Sequence, residues 1–132
     1  MTDTAPQIGY AVRAGEMDAL AKALDEAEGK PVDLVELPLF ELDLMLGGRI
    51  RRDVLADLRK VCGGRALSYS IHAPLAINLM DHPGRLGLHL DIMKASIEIT
   101  AELGARHMVM HTGVCAHGAR AEIDAAYERQ RA

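Results

Sequence analysis

The stretch Ala66-Leu67-Ser68-Tyr69-Ser70-Ile71-His72 alternates large apolar residues with serines and ends on a histidine. Successive side chains of a strand point to opposite faces, so Leu67, Tyr69 and Ile71 share one face while Ser68, Ser70 and His72 share the other. Three more segments carry the same pattern. In His107–Thr112, Met108 and Met110 oppose His107, Val109 and His111. In Val32–Leu37, Val35 and Leu37 oppose Leu34 and Glu36. In Ile8–Val12, Ile8, Tyr10 and Val12 oppose Gly9 and Ala11. One face is therefore large and apolar throughout. The other is small or polar, and grows more polar toward the C-terminal strand ends.

Between these strands lie helical patterns. Met17, Leu20, Ala21 and Leu24 fall at i, i+3, i+4 and i+7, and Gly29 and Pro31 stop the helix. Val54, Leu55, Leu58 and Val61 mark a second helix, closed by Gly63 and Gly64 after Gly47 and Gly48 have broken the chain. Leu88, Ile92, Ala95, Ile99 and Leu103 form a third stripe, with Gly104 at its end, and a last helix is expected from Ala119 toward Arg131. A longer loop, Ala73 to Gly87, separates the third strand from its helix. Strands alternating with helices at a period of roughly 30 residues imply a parallel α/β sheet.

Two parallel architectures are available. A doubly wound sheet is covered by helices on both sides and reads apolar on both faces. A barrel encloses one face, which can turn polar at its catalytic mouth, where the C-terminal strand ends gather. Glu36, His72 and His111 fall at those ends on one face. The pattern predicts a parallel (βα)4 half of a TIM (β/α)8 barrel, with residues 1–132 as its N-terminal half. The 132 residues are too few for the roughly 200 or more of a complete barrel.

Composition bounds the rest. Apolar residues are 49%, charged residues 26% and aromatics 3%, so the core must come from aliphatic side chains and methionine. A net charge of −4 gives no electrostatic pull toward nucleic acid. Cys62 and Cys115 form no CxxC motif or disulfide framework. The opening MTDTAPQ has no signal-peptide core, and no run reaches the ~20 apolar residues of a membrane span. A cytoplasmic chain with no membrane partner is expected. No glycine fingerprint for nucleotide phosphates follows any strand.

Tyr69-Ser70-Ile71-His72-Ala73-Pro74, continuing to Ile77-Asn78-Leu79, and Val109-Met110-His111-Thr112-Gly113 resemble two motifs of the xylose isomerase-like barrel superfamily, HAP…IN after strand three and HxG at strand four. Ala101-Glu102-Leu103-Gly104, leading into the His107 strand, adds to the likeness, which spans the chain as units one to four of eight. The resemblance implies a sugar or sugar-phosphate isomerase or epimerase, dependent on a divalent metal (Zn, Mn, Mg or Co) in the complete barrel. His72 and His111 would be metal or substrate ligands, and Asn78 a substrate-binding residue. Glu36, from its place at the same strand ends, reads equally as a substrate-binding residue or general base and as a loop-capping or ion-paired carboxylate. Most family ligands and the acid/base carboxylates belong to the second half, so this half alone is expected to be inactive and to hold no metal unaided.

Two alternatives stay open. An endonuclease IV-like zinc phosphodiesterase is one, although Leu75 and Thr112 stand where that branch tends to carry an aromatic residue and a proline. The other is a non-catalytic half-barrel that self-associates, as a homodimer or with a second half-barrel, through its open sheet edges. From the residues themselves, Asn78 reads foremost as a loop-fixing side chain. Gly113 reads as a tight turn with close backbone approach. His107 reads as a stability residue at the strand's start, and His82, His89 and His117 as solvated.

Overall fold

A computed structural model describes residues 6–115 and 120–131. In chain order the elements are β1 (Gly9–Ala11), α1 (Met17–Glu28), β2 (Leu34–Pro38), β3 (Met45–Leu46), β4 (Arg49–Ile50), α2 (Arg52–Cys62), β5 (Ser68–His72), α3 (Leu86–Glu102), β6 (His107–Val109) and α4 (Arg120–Arg131). Strands β1, β2, β5 and β6 form one sheet in that order, every pair parallel. The sheet alternates with helices, as the strand and helix periods predict.

The core explains why the strands have a large and a small face. Val35, Leu37, Tyr69 and Ile71 meet Leu20, Leu24 and Ala27 of α1, Leu55, Leu58 and Cys62 of α2, and Ile99 of α3 in one buried cluster. All these helices pack on the same side of the sheet. Leu20, Leu24, Val35, Leu37, Leu58 and Ile71 are fully excluded from solvent. Each such side chain is worth roughly 1.5–3 kcal/mol in area removed from water. The side-chain period of the strands and the helical stripes therefore serve one core.

Three local expectations are corrected. Ile8, assigned to the packed face of the first strand, precedes β1, an edge strand of the sheet, and is 66% exposed. Leu88 leaves the α3 stripe. It is half exposed, while Ala95, Ser96 and Ile99 carry the burial and Ser96 Oγ donates to the Ile92 carbonyl at 2.8 Å. The strand expected to run to Thr112 ends at Val109, although Ala73 N–H still donates to the Val109 carbonyl at 2.9 Å and Leu79 N–H to that of Thr112 at 3.2 Å.

Gly47 and Gly48 do more than break the chain. Both have positive φ, 56° and 78°, as a two-residue turn of mirror-image type requires, and they close the small β3–β4 hairpin. Gly48 also lies so close to α3 that a Cβ there would come within 2.9 Å of Asp91 Cβ. The helix α4 buries Ala126 and reaches the segment after β6, where Gln130 Nε2 donates to the Thr112 carbonyl at 3.0 Å. No helix among the described residues is long and apolar enough to cross a membrane.

Polar ties fix the helical layer. Arg65, with a side chain 15% exposed, donates from Nε to the Val61 carbonyl at 2.7 Å and from Nη1 to Asp25 and Glu28 at 2.7 and 2.9 Å. Glu28 also accepts the Ala66 N–H at 3.0 Å, so one cluster joins α1, the end of α2 and the entry to β5. Arg65→Ala is expected to cost about 1 kcal/mol, since the carboxylates remain partly solvated. A lower urea midpoint with an unchanged slope would show it. Cys62 lies beneath this cluster, where burial pushes its thiol up to about 11, and Tyr69 Oη donates to its carbonyl at 2.9 Å. This thiol is part of the core.

Candidate functional site

The sheet face opposite the helices carries the polar residues. Register places Glu36 beside Ser70, so His72 lies two residues further along β5. It likewise pairs His72 with Val109, so His111 lies two residues beyond that point, past the end of β6. Glu36, His72 and His111 thus form a diagonal that advances toward the C-terminal strand ends.

Their side chains are in contact. His72 Nδ1 lies 2.9 Å from Glu36 Oε1, and His72 Nε2 lies 3.2 Å from His111 Nε2. The two imidazoles stack with centroids 5.4 Å apart and planes 25° from parallel, and Phe40 meets His72 edge-on at 5.7 Å. Glu36 and His72 side chains are each 25% exposed. A carboxylate is an acceptor only, so His72 presents Nδ1–H to Glu36. One hydrogen then serves the two facing Nε2 atoms, the second nitrogen accepting it. The arrangement is a carboxylate–imidazole–imidazole relay at the C-terminal strand ends, on the face opposite α1, α2 and α3.

Asn78 lies nearby but is held within the loop. Its Oδ1 accepts the Met80 and Val114 N–H groups at 3.0 and 3.1 Å, and its Nδ2 donates to the Val114 carbonyl at 3.0 Å. It joins the loop after β5 to the loop after β6. Gly113, at φ 104°, passes so close that a Cβ would stand 1.9 Å from Asn78 Oδ1. This is the close backbone approach anticipated for that glycine.

His89 overturns the expectation of a solvated side chain. It is 13% exposed, accepts the Asn78 N–H on Nδ1 at 3.3 Å and meets Asp81 Oδ2 through Nε2 at 3.0 Å. The start of α3 turns it inward over the preceding loop. Arg85 Nε bonds the same carboxylate at 2.8 Å. The Asp81–Arg85–His89 spacing of four and four was the available signal, since such residues share a helix face, but Asp81 precedes the helix. His82 is exposed, as expected, and its Nδ1 accepts the Gly84 N–H at 3.1 Å. His107 is exposed at the start of β6, and His117 lies outside the described residues.

Hydrogen bonds from Arg85, then His89 and the His82 backbone, hold the Asp81 carboxyl far below the usual carboxylate range. A group whose pKa is depressed on folding adds stability above its unfolded value, near ~4, and loses it as pH falls through the folded value. Asp81→Asn is therefore expected to flatten the acid limb of a stability–pH curve below about pH 4. Urea midpoints of the two proteins across that window test this; curves that stay parallel to the lowest pH would dismiss the role.

Two hollows flank the histidines. One of about 190 Å3 is lined by Arg13, Glu36, Phe40 and His72 among others. The second, about 350 Å3, is lined by Leu75, Asn78, His111 and Gly113 among others. Among the described residues no group of three or more His, Cys, Asp or Glu side chains is placed to hold a metal ion. The histidine pair nevertheless has suitable spacing: two nitrogens each ~2.0–2.1 Å from a tetrahedral ion stand roughly 3.3 Å apart. Glu36 on Nδ1 is the outer carboxylate that metal-bound imidazoles commonly carry. The chain matches no family model and no curated protein.

Proposed function

We propose that this chain is the first half of a xylose isomerase-like (β/α)8 barrel, and that Glu36, His72 and His111 are its share of a divalent-metal site acting on a sugar or sugar phosphate. The observation that carries this reading is the Glu36–His72–His111 contact chain on the helix-free face. The four-stranded parallel sheet, with one face covered by helices, is the architecture such a half-barrel requires.

Each residue has a chemical task in this reading. Glu36 fixes the His72 tautomer and turns its Nε2 toward the mouth. His72 and His111 present two adjacent nitrogens that can hold an ion or hydrogen-bond neighbouring substrate hydroxyls. A divalent ion supplies Lewis acidity toward a carbonyl oxygen, which eases proton transfer at the adjacent carbon. Stable sites use three or four protein ligands, so a second half-barrel supplies the others, together with the acid/base carboxylates. This half is then a weak ion binder with little turnover of its own. Asn78 acts by shaping the pocket wall. The scarcity of Lys and Arg around the two hollows favours a small substrate over a nucleic-acid backbone.

Titrating the chain with zinc while following the imidazole 15N signals tests the reading. His72 and His111 are expected to shift together, and His111→Ala to abolish the paired response. If zinc leaves both rings of the wild-type chain unmoved, the metal role is excluded.

A further inference from the structure

Arg13 continues the alternation of β1 past Ala11, onto the helix-free face. Val12 N–H donates to the Glu36 carbonyl at 3.1 Å, extending the β1–β2 ladder by a residue. Since Ala11 pairs with Glu36, Arg13 comes level with Pro38, which in turn pairs with His72. Two strand spacings, roughly 10 Å, separate the Arg13 and His72 backbones. Both side chains line the hollow of about 190 Å3.

Glu41 orients the guanidinium. Arg13 Nε and Nη2 both approach Glu41 Oε1, at 3.0 and 2.9 Å, while Glu41 Oε2 accepts the Ala14 N–H at 3.0 Å. The carboxylate is 17% exposed and the arginine side chain 85%. Glu41 is thus anchored from behind, and Arg13 stands forward of it in solvent. No described residue takes the Nη1 hydrogens, so half of the planar fork remains available. The other carboxylate of the hollow, Glu36, is engaged by His72. Neither hollow beside the histidines contains any further lysine or arginine.

We infer that Arg13 is a specificity residue of this site: it takes the terminal oxyanion, phosphate or carboxylate, of a short polyhydroxylated substrate whose other end lies on His72 and His111. This rests on the proposed function and narrows it to anionic substrates. The guanidinium suits the task because its planar donors match two oxygens of one anion at once. The bland alternative is an exposed ion pair that only ties the loop after β1 to the loop after β2. Such a pair binds no ligand and contributes little stability.

The Nε–Hε resonance of Arg13 distinguishes these when inorganic phosphate, acetate or glycerol is added at constant ionic strength. Saturable movement with phosphate or acetate, and none with glycerol, is the expected result; the tighter of the two anions identifies the group. Arg13→Gln is expected to weaken that binding about tenfold or more. Arg13→Lys, which keeps the charge and loses the fork, should fall between. Equal anion binding by wild type and Arg13→Gln, or no movement of Arg13 with either anion, overturns the inference. Zinc added to the same samples reports on His72 and His111 separately. Zinc binding without anion binding defeats the Arg13 role alone, and anion binding without zinc binding leaves Arg13 in place while the metal reading falls.

Discussion

Replacing Gly113 with alanine is expected to destabilise the chain by about 3 kcal/mol and to pull His111 away from His72. Two penalties combine. At φ 104° an L-residue is strained by ~1–2 kcal/mol where glycine is not. The new Cβ would also stand 1.9 Å from Asn78 Oδ1 and 2.9 Å from Asn78 Cα, so a rotation of the amide alone does not relieve it. Displacing Asn78 breaks its bonds to Met80 and Val114, each worth about 1 kcal/mol net. Gly113 is two residues from His111, so His111 is expected to shift with it. Denaturant unfolding measures the first effect. The second is read from an interproton contact between the two imidazole rings, present in wild type and absent in Gly113→Ala. A variant as stable as wild type, with the ring contact intact, would show that the loop adapts and that Gly113 has no positioning role.

This glycine shows how much of the site the sequence makes legible. Alternation alone put Glu36, His72 and His111 on one face, because side-chain direction in a strand depends only on parity. Their contact could not be read that way, since it depends on the inter-strand register that places His72 two residues beyond Glu36. The helical stripes located the core of α1 and α2, where a single face is buried. In α3 the apolar residues extend round the helix, so Leu88 was grouped with the buried set although it is half exposed. The β3–β4 hairpin went unread because two strands of two residues leave no periodic signal, although the Gly47-Gly48 pair is the turn chemistry it needs. The Asp81–Arg85–His89 cluster is local, but Asp81 precedes the helix, so its spacing of four alone does not declare a shared face. The Arg13–Glu41 pair joins two loops that are distant in sequence and meet only in the fold.

The relay itself makes the sharpest demand. His72→Ala is expected to weaken zinc binding about hundredfold or more, because it removes one nitrogen donor and leaves Glu36 with nothing to orient. His111→Ala removes a donor but keeps the Glu36–His72 pair, so its effect should be similar or slightly smaller. Glu36→Gln is different in kind. Glutamine can still accept the Nδ1 hydrogen, but it carries no charge to strengthen the imidazole as a donor, and losses of roughly 10–100-fold follow from such outer-shell changes. The order His72→Ala, His111→Ala, Glu36→Gln is therefore diagnostic when zinc affinity is measured by calorimetry at one pH. A Glu36→Gln loss as large as that of His72→Ala would mean that the carboxylate binds the ion directly, as a third ligand that swings away from Nδ1. Three variants with wild-type affinity would mean that the contact chain is a structural hydrogen-bond ladder and that zinc, if bound, is held elsewhere.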